Sequence, residues 1–349
     1  MKITSVDGSY GEGGGQILRS AISLSAITEK PIDVKNIRAK RPNPGLQAQQ
    51  LWAIKAVASL CSASVEGLHM GSTNIRFIPQ KINSENLRLD IGTAGSITLL
   101  LQTIIPVATF SEKNIDLRII GGTDVKWSPT INYFDDVVLP AFRAIGINCE
   151  INVLNRGYYP KGGGVVDVSI SNSDGLRALK LIDLPANVLP KIKSVCSKLP
   201  LSVAERQANT ALSLLRSKGI KVDSTRVEEY NSISPGTSIS ITSVKENGPF
   251  LGGDAVGEVG KPAEAIGKKA AEMFLQEATS GATVDSHLGD MLITPLALLN
   301  KESIYRISKV TSHLVTNLQV AETIVGCKYE INEETNGTAL VKLRGGNLL

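Results

Sequence analysis

The sequence is poor in several features that would indicate particular protein classes. Aromatic residues make up only 4% of its 349 positions, which is too few for rows of stacking platforms along a nucleic acid. The longest apolar run, residues 97–109, is interrupted by Gln102, Thr103 and Pro106 and is too short to cross a bilayer. We therefore expect a globular protein with no membrane contact.

Cysteine is also scarce. The four cysteines, Cys61, Cys149, Cys196 and Cys327, lie far apart and form no C-x-x-C pair, so a structural zinc site is not expected. The first residues contain no apolar signal segment. We expect a cytoplasmic protein whose cysteines are small buried apolar residues, and the sequence leaves open whether any form disulfides.

The composition is typical of a globular chain with a sizeable core. Hydrophobic residues make up 42% and charged residues 20%, and the formal net charge is +4. The length favours about two domains. The cluster Arg38, Lys40 and Arg41 precedes a proline-rich turn, where basic side chains can bind phosphates. A solvated surface is the alternative for such a cluster.

The most informative segment is the glycine run at residues 11–15, which contains Glu12. It lies between an apolar strand pattern at 3–6 and an apolar helix pattern at 17–27. Glycines allow close backbone approach and a helix N-terminus attracts anions, so the run predicts a phosphate or nucleotide site. It matches neither the dinucleotide fingerprint nor the P-loop. The acid indicates a divalent cation, whereas a turn that serves packing alone is the alternative.

The pattern of helices and strands repeats along the chain. Residues 1 to about 80 follow the order strand, helix, strand, helix, strand, strand, and residues 87–170 follow it again. A helix is predicted at 130–145 in the second copy. We therefore predict two βαβαββ units of about 80 residues each.

A third unit begins with a strand pattern at 178–184, but its first helix is delayed. The intervening segment has strand patterns at 192–197, 220–228 and 237–244 and helix patterns at 203–215 and 263–276. The third unit then resumes with a helix pattern at 288–299. We predict an α+β fold, with a large three-unit domain at 1–184 and 281–349 and a smaller α+β domain inserted at 185–280.

The chain has three histidines, and two of them are candidates for chemistry. His313 is flanked by polar residues at a predicted strand-to-helix junction, and a neutral imidazole can act as a nucleophile. His287 has two aspartates nearby in sequence and could serve as a base, a metal ligand or a cap. His69 has no charged neighbours, and we interpret it as structural or exposed.

A set of motifs resembles the RNA 3′-terminal phosphate cyclase family. The motifs occur in consistent order from residue 7 to 317 and cover essentially the whole chain. They are Gly11 to Ser20, Ile37 to Ala39 with Arg41, Pro44 to Leu46 with Gln49, Gly92 to Ser96, Leu101 to Thr103, Gly121 to Asp124, Tyr159 and Pro160 with Gly162 to Val166, and His313 to Asn317. The family's three repeated units and inserted domain agree with the architecture predicted above.

The resemblance implies an ATP-dependent ligase that acts in RNA processing. The family's nucleophilic histidine, which His313 matches, forms a covalent histidine-AMP with loss of pyrophosphate. AMP then passes to an RNA 3′-terminal phosphate, and the adjacent 2′-hydroxyl attacks that phosphate to give a 2′,3′-cyclic phosphodiester and AMP. Covalent catalysis divides one difficult displacement into easier steps. We expect recognition of the RNA end more than of its base sequence.

The resemblance also implies roles for individual residues. The positions that hold phosphates or contact the nucleotide are matched by Arg19, Arg38, Arg41, Gln49 and Gln102. Glu12 matches a carboxylate beside a metal, where Mg²⁺ or Mn²⁺ would share the charge of pyrophosphate. A surface ion pair is the alternative role for each arginine.

One segment departs from the family pattern. Relatives tend to have Tyr-Leu-x-Asp-Gln in a nucleotide-contacting segment, where this chain has His287, Leu288, Gly289, Asp290 and Met291. His287 can still stack on a base, but methionine cannot donate the amide hydrogen bonds of glutamine. The resemblance implies that this segment binds the nucleotide, and it leaves the nucleotide preference open.

Two other functions fit parts of the pattern. A ribosome-assembly branch resembles these cyclases but lacks the catalytic histidine, and His313 together with Arg38 and Arg41 argues against it here. An enolpyruvyl transferase shares this style of architecture, but it would bind phosphoenolpyruvate and transfer no AMP. The sequence does not indicate the oligomeric state, the physiological RNA or the role of the inserted domain.

Overall fold

The computed structural model describes residues 3–83, 86–183 and 188–346. They form helices and four four-stranded sheets, so the fold is α+β, as predicted. Over the described ranges, no helix combines the length and hydrophobicity that a bilayer-spanning segment needs. All four cysteines are buried and free.

The first sheet has the strand order β1-β2-β4-β3. Its elements are β1 (Thr4–Asp7), α1 (Gly15–Thr28), β2 (Ile32–Lys35), α2 (Ala48–Leu60), β3 (Ser64–Glu66) and β4 (Ile75–Ile78). Strands β1 and β2 are parallel and the remaining pairs are antiparallel. The glycine run thus lies between a strand and a helix, as the sequence predicts.

The second sheet repeats this arrangement with the order β5-β6-β8-β7. Its elements are β5 (Leu87–Asp90), α3 (Ile97–Ala108), β6 (Ile115–Gly121), α4 (Ile131–Tyr133), a π-helical segment (Phe134–Val138), α5 (Leu139–Ala144), β7 (Cys149–Asn155) and β8 (Gly164–Ile170). The helix predicted at 130–145 is therefore confirmed, since residues 131–144 are helical throughout, with a π-helical segment that the sequence pattern does not predict. Pro140 lacks an amide hydrogen for the helical ladder, and the π-helical segment lies directly before it.

A short strand, β9 (Lys180–Leu181), precedes the inserted segment, and the predicted strand end at residue 184 lies outside the described residues. The insert contains β10 (Lys191–Ser197), α6 (Leu201–Ser217), β11 (Ser224–Glu229), β12 (Gly236–Val244), β13 (Phe250–Val256) and α7 (Ala263–Ser280). Its sheet has the order β11-β10-β12-β13. Strand β13 does not follow from the sequence pattern, because two glycines interrupt it.

The close packing of β13 explains those glycines. A Cβ on Gly253 would lie 2.4 Å from the Phe274 nitrogen of α7, and one on Gly252 would lie 2.6 Å from the ring of Tyr133. Buried apolar residues between Ile192 and Ala282 form a core separate from the main one. This agrees with an inserted domain, whose boundaries stay a prediction.

The chain then completes the third unit with α8 (Ser286–Leu296), β14 (Ser303–Ile307), α9 (Ser312–Val325), β15 (Lys328–Glu333) and β16 (Ala339–Arg344). The sheet order is β15-β16-β14-β9. Helix α1 contacts α3, α8 and α9, and apolar side chains such as Ile17, Ile22 and Leu314 are fully or almost fully buried. Helices of the second and third units therefore pack against α1 of the first unit.

Candidate active site

A cavity of about 690 Å³ lies where the first turns of α1, α3, α8 and α9 meet. Strand β13 and helix α7 contribute another wall. Side chains of Ser96, Asp285 and Thr311 cap α3, α8 and α9, whereas Gly14 gives α1 no side-chain cap. The partial positive charge at the start of α1 therefore favours an anionic ligand. The sequence-predicted residues that line the cavity are Arg19, Gln102, His287, Asp290, Met291 and His313.

The glycine turn ahead of α1 has a conformation that needs glycine. Gly11 and Gly13 have φ values of +57° and +58°, which L side chains adopt only with strain. A Cβ on Gly14 would lie 2.2 Å from Gln16 Oε1. Gly14 also offers α1 no side-chain cap. The turn therefore leaves the first backbone N–H groups of α1 without a side-chain acceptor.

This turn brings Glu12 against the start of α9. Glu12 Oε2 lies 3.2 Å from His313 Nε2 and 3.4 Å from Arg41 Nη2, and the Ser312 hydroxyl donates to Glu12 Oε1. These contacts lower the pKa of Glu12, the Ser312 hydrogen bond most of all. Because an ionised carboxylate only accepts hydrogen bonds, this arrangement requires a hydrogen on His313 Nε2.

Asp290 lies on the other side of the His313 ring. Its Oδ2 is 3.7 Å from His313 Nδ1, and its Oδ1 accepts a 2.6 Å hydrogen bond from the Thr311 hydroxyl. Burial, with a smaller contribution from Glu12, raises the pKa of Asp290 to about 8. A neutral carboxyl therefore lies behind the imidazole at neutral pH.

His313 is neutral at the same pH. Partial burial lowers its pKa, and the charges of Arg19 and His287 act in the same direction, whereas Glu12 raises it. An unprotonated imidazole retains a lone pair and can attack an electrophile. Thr311 caps α9 by accepting from the Leu314 N–H, which fixes the backbone that carries His313.

Arg19 is a half-buried cation that lines the same cavity. Burial lowers its pKa to about 10, and none of the described carboxylates forms an ion pair with it. An uncompensated buried charge is costly. An anionic ligand in the cavity would relieve that cost, which is the chemical property expected of a phosphate-binding arginine.

The other two predicted arginines lie away from the cavity wall. Arg38 Nη1 donates to the carbonyls of Asn43 and Gly45, at 2.7 and 2.9 Å, and so holds its own turn. Arg41 is partly exposed and contacts Glu12. Arg41 thus joins the site through Glu12, while at least one nitrogen of Arg38 is used structurally.

The predicted glutamines also differ in position. Gln102 lines the cavity, and its buried Nε2 has no hydrogen-bond partner. Gln49 lies off the cavity wall, where its Oε1 accepts from the Ser96 N–H at 3.1 Å. Gln102 therefore has a donor available for a ligand, whereas the Gln49 acceptor ties α2 to the second glycine turn.

Helix α8 divides the residues of the 287–291 segment between cavity and core. His287, Asp290 and Met291 line the cavity. Leu288 is fully buried in the main core, and the Gly289 carbonyl accepts from the Tyr305 hydroxyl at 3.0 Å. Leu288, by packing in the core, and Gly289, through its carbonyl, therefore anchor α8 on the side away from the cavity.

The start of α8 is held by Asp285. Its Oδ1 accepts from the His287 and Leu288 N–H groups at 3.1 and 2.9 Å and from the Tyr133 hydroxyl at 2.7 Å. Burial raises the pKa of Asp285 well above its usual range. This cap fixes the position from which His287 enters the cavity.

Several cavity residues were not found by sequence reasoning. The main ones are Gln16, Trp127, Asp254, Lys269 and Met273. Trp127 is 95% exposed and has a φ of +63°. Asp254, Lys269 and Met273 come from the inserted segment. Of these residues, Asp254 could have been singled out from the sequence, because it is a charged residue within the apolar stretch 250–256.

The described residues also fit a divalent ion, although they form no cluster of three or more His, Cys, Asp or Glu side chains. Mg²⁺ is commonly held by one or two carboxylates together with substrate phosphates and water. Glu12, ionised and partly exposed beside His313, fits such a site.

Comparison with known proteins agrees with this geometry. The sequence profile of the RNA 3′-terminal phosphate cyclase family matches residues 10–331. The chain is 41% identical to the RNA 3′-terminal phosphate cyclase of Korarchaeum cryptofilum, covering 100% of this chain and 99% of that protein. It is 40% identical to the one from Methanopyrus kandleri, with 99% of each covered, and 43% identical to the one from Pyrococcus furiosus, with 93% and 94% covered.

The profile match includes both Glu12 and His313, which come together only in the folded chain. The chain belongs to the RNA 3′-terminal phosphate cyclase family.

Proposed function

We propose that this protein is a cytoplasmic enzyme that uses ATP to convert an RNA 3′-terminal phosphate into a 2′,3′-cyclic phosphodiester, through a covalent AMP on His313 and an RNA-adenylate. The observation that carries the proposal is that a neutral His313 and a half-buried Arg19, which forms no ion pair with a described carboxylate, line one cavity. A nucleophile and a phosphate-binding cation are the two groups that nucleotidyl transfer requires.

In the first step, His313 Nε2 attacks the α-phosphorus of ATP and the bond to pyrophosphate breaks. Nε2 is the attacking atom because it faces the partly exposed Glu12, whereas Nδ1 faces buried Asp290. Nε2 carries the ring hydrogen while it contacts Glu12 in the free protein, so Nε2 must lose that hydrogen and Nδ1 must hold one before the attack. Asp290 Oδ2, at 3.7 Å, can accept that hydrogen after a small approach and so holds the reactive tautomer.

Arg19 and Gln102 support this step from the cavity wall. Arg19 neutralises phosphate charge, and the free Nε2 of Gln102 can donate to a nucleotide oxygen. Glu12 is the residue that would hold Mg²⁺ or Mn²⁺. When bound, such an ion shares the negative charge of the leaving pyrophosphate.

In the later steps, an RNA 3′-phosphate oxygen attacks the phosphorus of histidine-AMP and the P–N bond breaks. The 2′-hydroxyl then attacks the RNA phosphate, loses its proton, and AMP leaves. Arg41 and Lys40 lie beside the Glu12 turn, since Lys40 Nζ donates to the Gly11 carbonyl at 2.7 Å. These cations are suited to the phosphates of the RNA end.

The proposal is tested by incubating the protein with α-labelled ATP and Mg²⁺. We expect an acid-labile label on the wild type and none on His313→Ala. The exposed His69 provides a matched control, and His69→Ala should be labelled like the wild type. RNA with a 3′-phosphate should discharge the label and be cyclised, whereas RNA with a 3′-hydroxyl should do neither.

Full labelling of His313→Ala, or cyclisation of the 3′-hydroxyl RNA, would disprove this mechanism. A wild type that binds RNA without any label would instead support the non-catalytic scaffold.

A further inference from the structure

Two aromatic rings of this chain are far more exposed than the others. Trp127 is 95% exposed and Tyr159 is 78% exposed, and the next aromatic residue in this order, Tyr10, is 40% exposed. A single exposed apolar residue needs no special explanation. Two such rings in neighbouring segments, in a chain with few aromatic residues, indicate a surface that binds a partner.

Hydrogen bonds hold the two segments together. Trp127 belongs to the loop that follows β6, and Tyr159 belongs to the connection between β7 and β8. The Thr123 N–H donates to the Gly157 carbonyl at 2.8 Å, and the Gly157 N–H donates to the Thr123 hydroxyl at 3.0 Å. Because Trp127 is exposed and also lines the cavity, this surface extends from the mouth of the cavity to the β7–β8 connection.

The β7–β8 connection is a rigid support for its exposed residues. Gly162 and Gly163 have φ values of +67° and +74°, and the Gly162 N–H donates to the Tyr158 carbonyl at 2.8 Å. A Cβ on Gly162 would lie 2.6 Å from the Thr93 carbonyl oxygen, so the connection packs directly on the second glycine turn. The glycine motif at 162–164, which the proposed chemistry does not use, therefore fixes the position from which Tyr159 is presented.

The same connection carries a cation. Lys161 is exposed, as Tyr159 is, and none of the carboxylates in the described ranges forms an ion pair with it. A nucleic-acid strand offers bases that stack on aromatic rings and phosphates that bind cations. A ring and an unpaired lysine two residues apart therefore favour a single-stranded nucleic acid over an apolar protein surface.

Resting on the proposed function, we infer that Trp127, Tyr159 and Lys161 form a docking surface for the single-stranded RNA that precedes the reacting 3′-phosphate. The two rings stack on bases, and Lys161 contacts a backbone phosphate. Since every base has a π-face, such a surface accepts any sequence. It extends beyond the cavity, so an RNA oligonucleotide gains affinity that a single nucleoside 3′-phosphate does not.

The test measures dissociation constants for an RNA oligonucleotide with a 3′-phosphate by fluorescence anisotropy. Tyr159→Ala should weaken binding at least about tenfold, the usual effect of losing one stacked base. Tyr159→Phe retains the ring and should bind within about twofold of the wild type. Labelling of His313 by ATP, which involves no RNA, serves as the reference for correct folding in each variant.

The contribution of Lys161 is measured by the salt dependence of the same affinity. Lys161→Ala should reduce the slope of log affinity against log salt concentration by about 0.7, the value for one phosphate contact on a single strand. Lys218, exposed at the end of α6, is the matched control, and Lys218→Ala should leave the slope unchanged.

Wild-type oligonucleotide affinity in both Tyr159→Ala and Lys161→Ala would overturn the inference. A change of oligomeric state in Tyr159→Ala with unchanged RNA affinity would also overturn it, because the ring would then bind a second copy of this chain. If His313 is labelled and RNA 3′-phosphate is cyclised in those cases, the proposed function stands and only the docking surface fails. A wild type that carries no label would contradict the proposed function itself.

Discussion

The two glycine-rich turns occupy corresponding places in the first two units, each between the first strand and the first helix, but they are completed differently. The first ends in Gly14, which gives α1 no side-chain cap, and it brings Glu12 to His313. The second ends in Ser96, whose hydroxyl accepts from the Leu99 N–H. The Ser96 N–H in turn donates to Gln49.

The difference indicates how a repeated fold can form one active site. The protein's own side chains satisfy the donors of the second turn, so that turn is structural. The first turn keeps backbone donors, a carboxylate and the nearby Arg19 available for a ligand. The same backbone plan thus serves stability in one unit and, in our proposal, chemistry in the other.

The largest expected effect is that of Gly11→Ala in the first turn, with Gly92→Ala in the second turn as the matched control. A Cβ on Gly11 would lie 2.5 Å from Thr316 Oγ1 and must displace the turn, whereas a Cβ on Gly92 meets nothing within 4 Å. Both positions have positive φ, so both variants carry a backbone strain of about 1 kcal/mol. Gly11→Ala should slow His313 labelling about a hundredfold, and Gly92→Ala by no more than about twofold. Equal effects of the two substitutions would contradict the comparison.

Arg19→Met should separate stability from activity. Removing a half-buried cation that lacks a described carboxylate partner should raise the free energy of unfolding by up to about 1 kcal/mol, while labelling falls at least about tenfold because phosphate charge is no longer neutralised. Denaturant unfolding and labelling rates measure the two effects. Arg118, exposed and paired with Asp167 at 2.6 Å, is the control, and Arg118→Met should leave labelling unchanged. A destabilised Arg19→Met protein would indicate a structural arginine.

Asp290→Asn should alter the pH dependence of stability. The pKa of Asp290 is about 8 in the folded protein, well above the usual value of an aspartate, about 3.9, so the folded state binds this proton more tightly. The wild type therefore loses stability as pH rises from about 4 to 8, and asparagine does not titrate. The free energy of unfolding of Asp290→Asn minus that of the wild type should therefore increase between about pH 5 and pH 8. A difference that is constant with pH would show that Asp290 is ionised in the folded state.

Gln49→Ala should have the smallest effect on chemistry. It removes the acceptor of the Ser96 N–H, which should lower the free energy of unfolding by about 1 kcal/mol. Labelling should stay within about threefold of the wild type, because Gln49 lies off the cavity wall. A much larger loss of labelling would favour the nucleotide contact that the family resemblance implies for Gln49.

Much of the fold follows from local sequence patterns, and the exceptions have physical causes. The strand before the glycine run and the helix after it are predictable, because apolar spacing and glycines act locally. The π-helical segment within the helix at 131–144 lies directly before Pro140, and strand β13 is hidden by Gly252 and Gly253. Those glycines are required by α7 and Tyr133, which are distant in sequence, so no local pattern predicts the strand.

The candidate site, too, is only partly predictable from local sequence patterns. His313, Glu12 and Arg19 are identifiable from motifs, and Glu12 meets His313 although they are 301 residues apart. Asp254 and Trp127 belong to the cavity only because the insert packs against the second unit. Neither the free Nε2 of Gln102 nor the structural use of Arg38 can be known before hydrogen-bond partners are visible.

The bond between AMP and His313 can be located directly by mapping the site of the adduct. The wild type is incubated with ATP and Mg²⁺, digested under conditions that preserve phosphoramidates, and analysed by mass spectrometry. We expect a single AMP adduct, on the imidazole of His313 in the peptide that contains this residue. An adduct on another residue, or no adduct in a protein that nevertheless cyclises RNA 3′-phosphate, would contradict it.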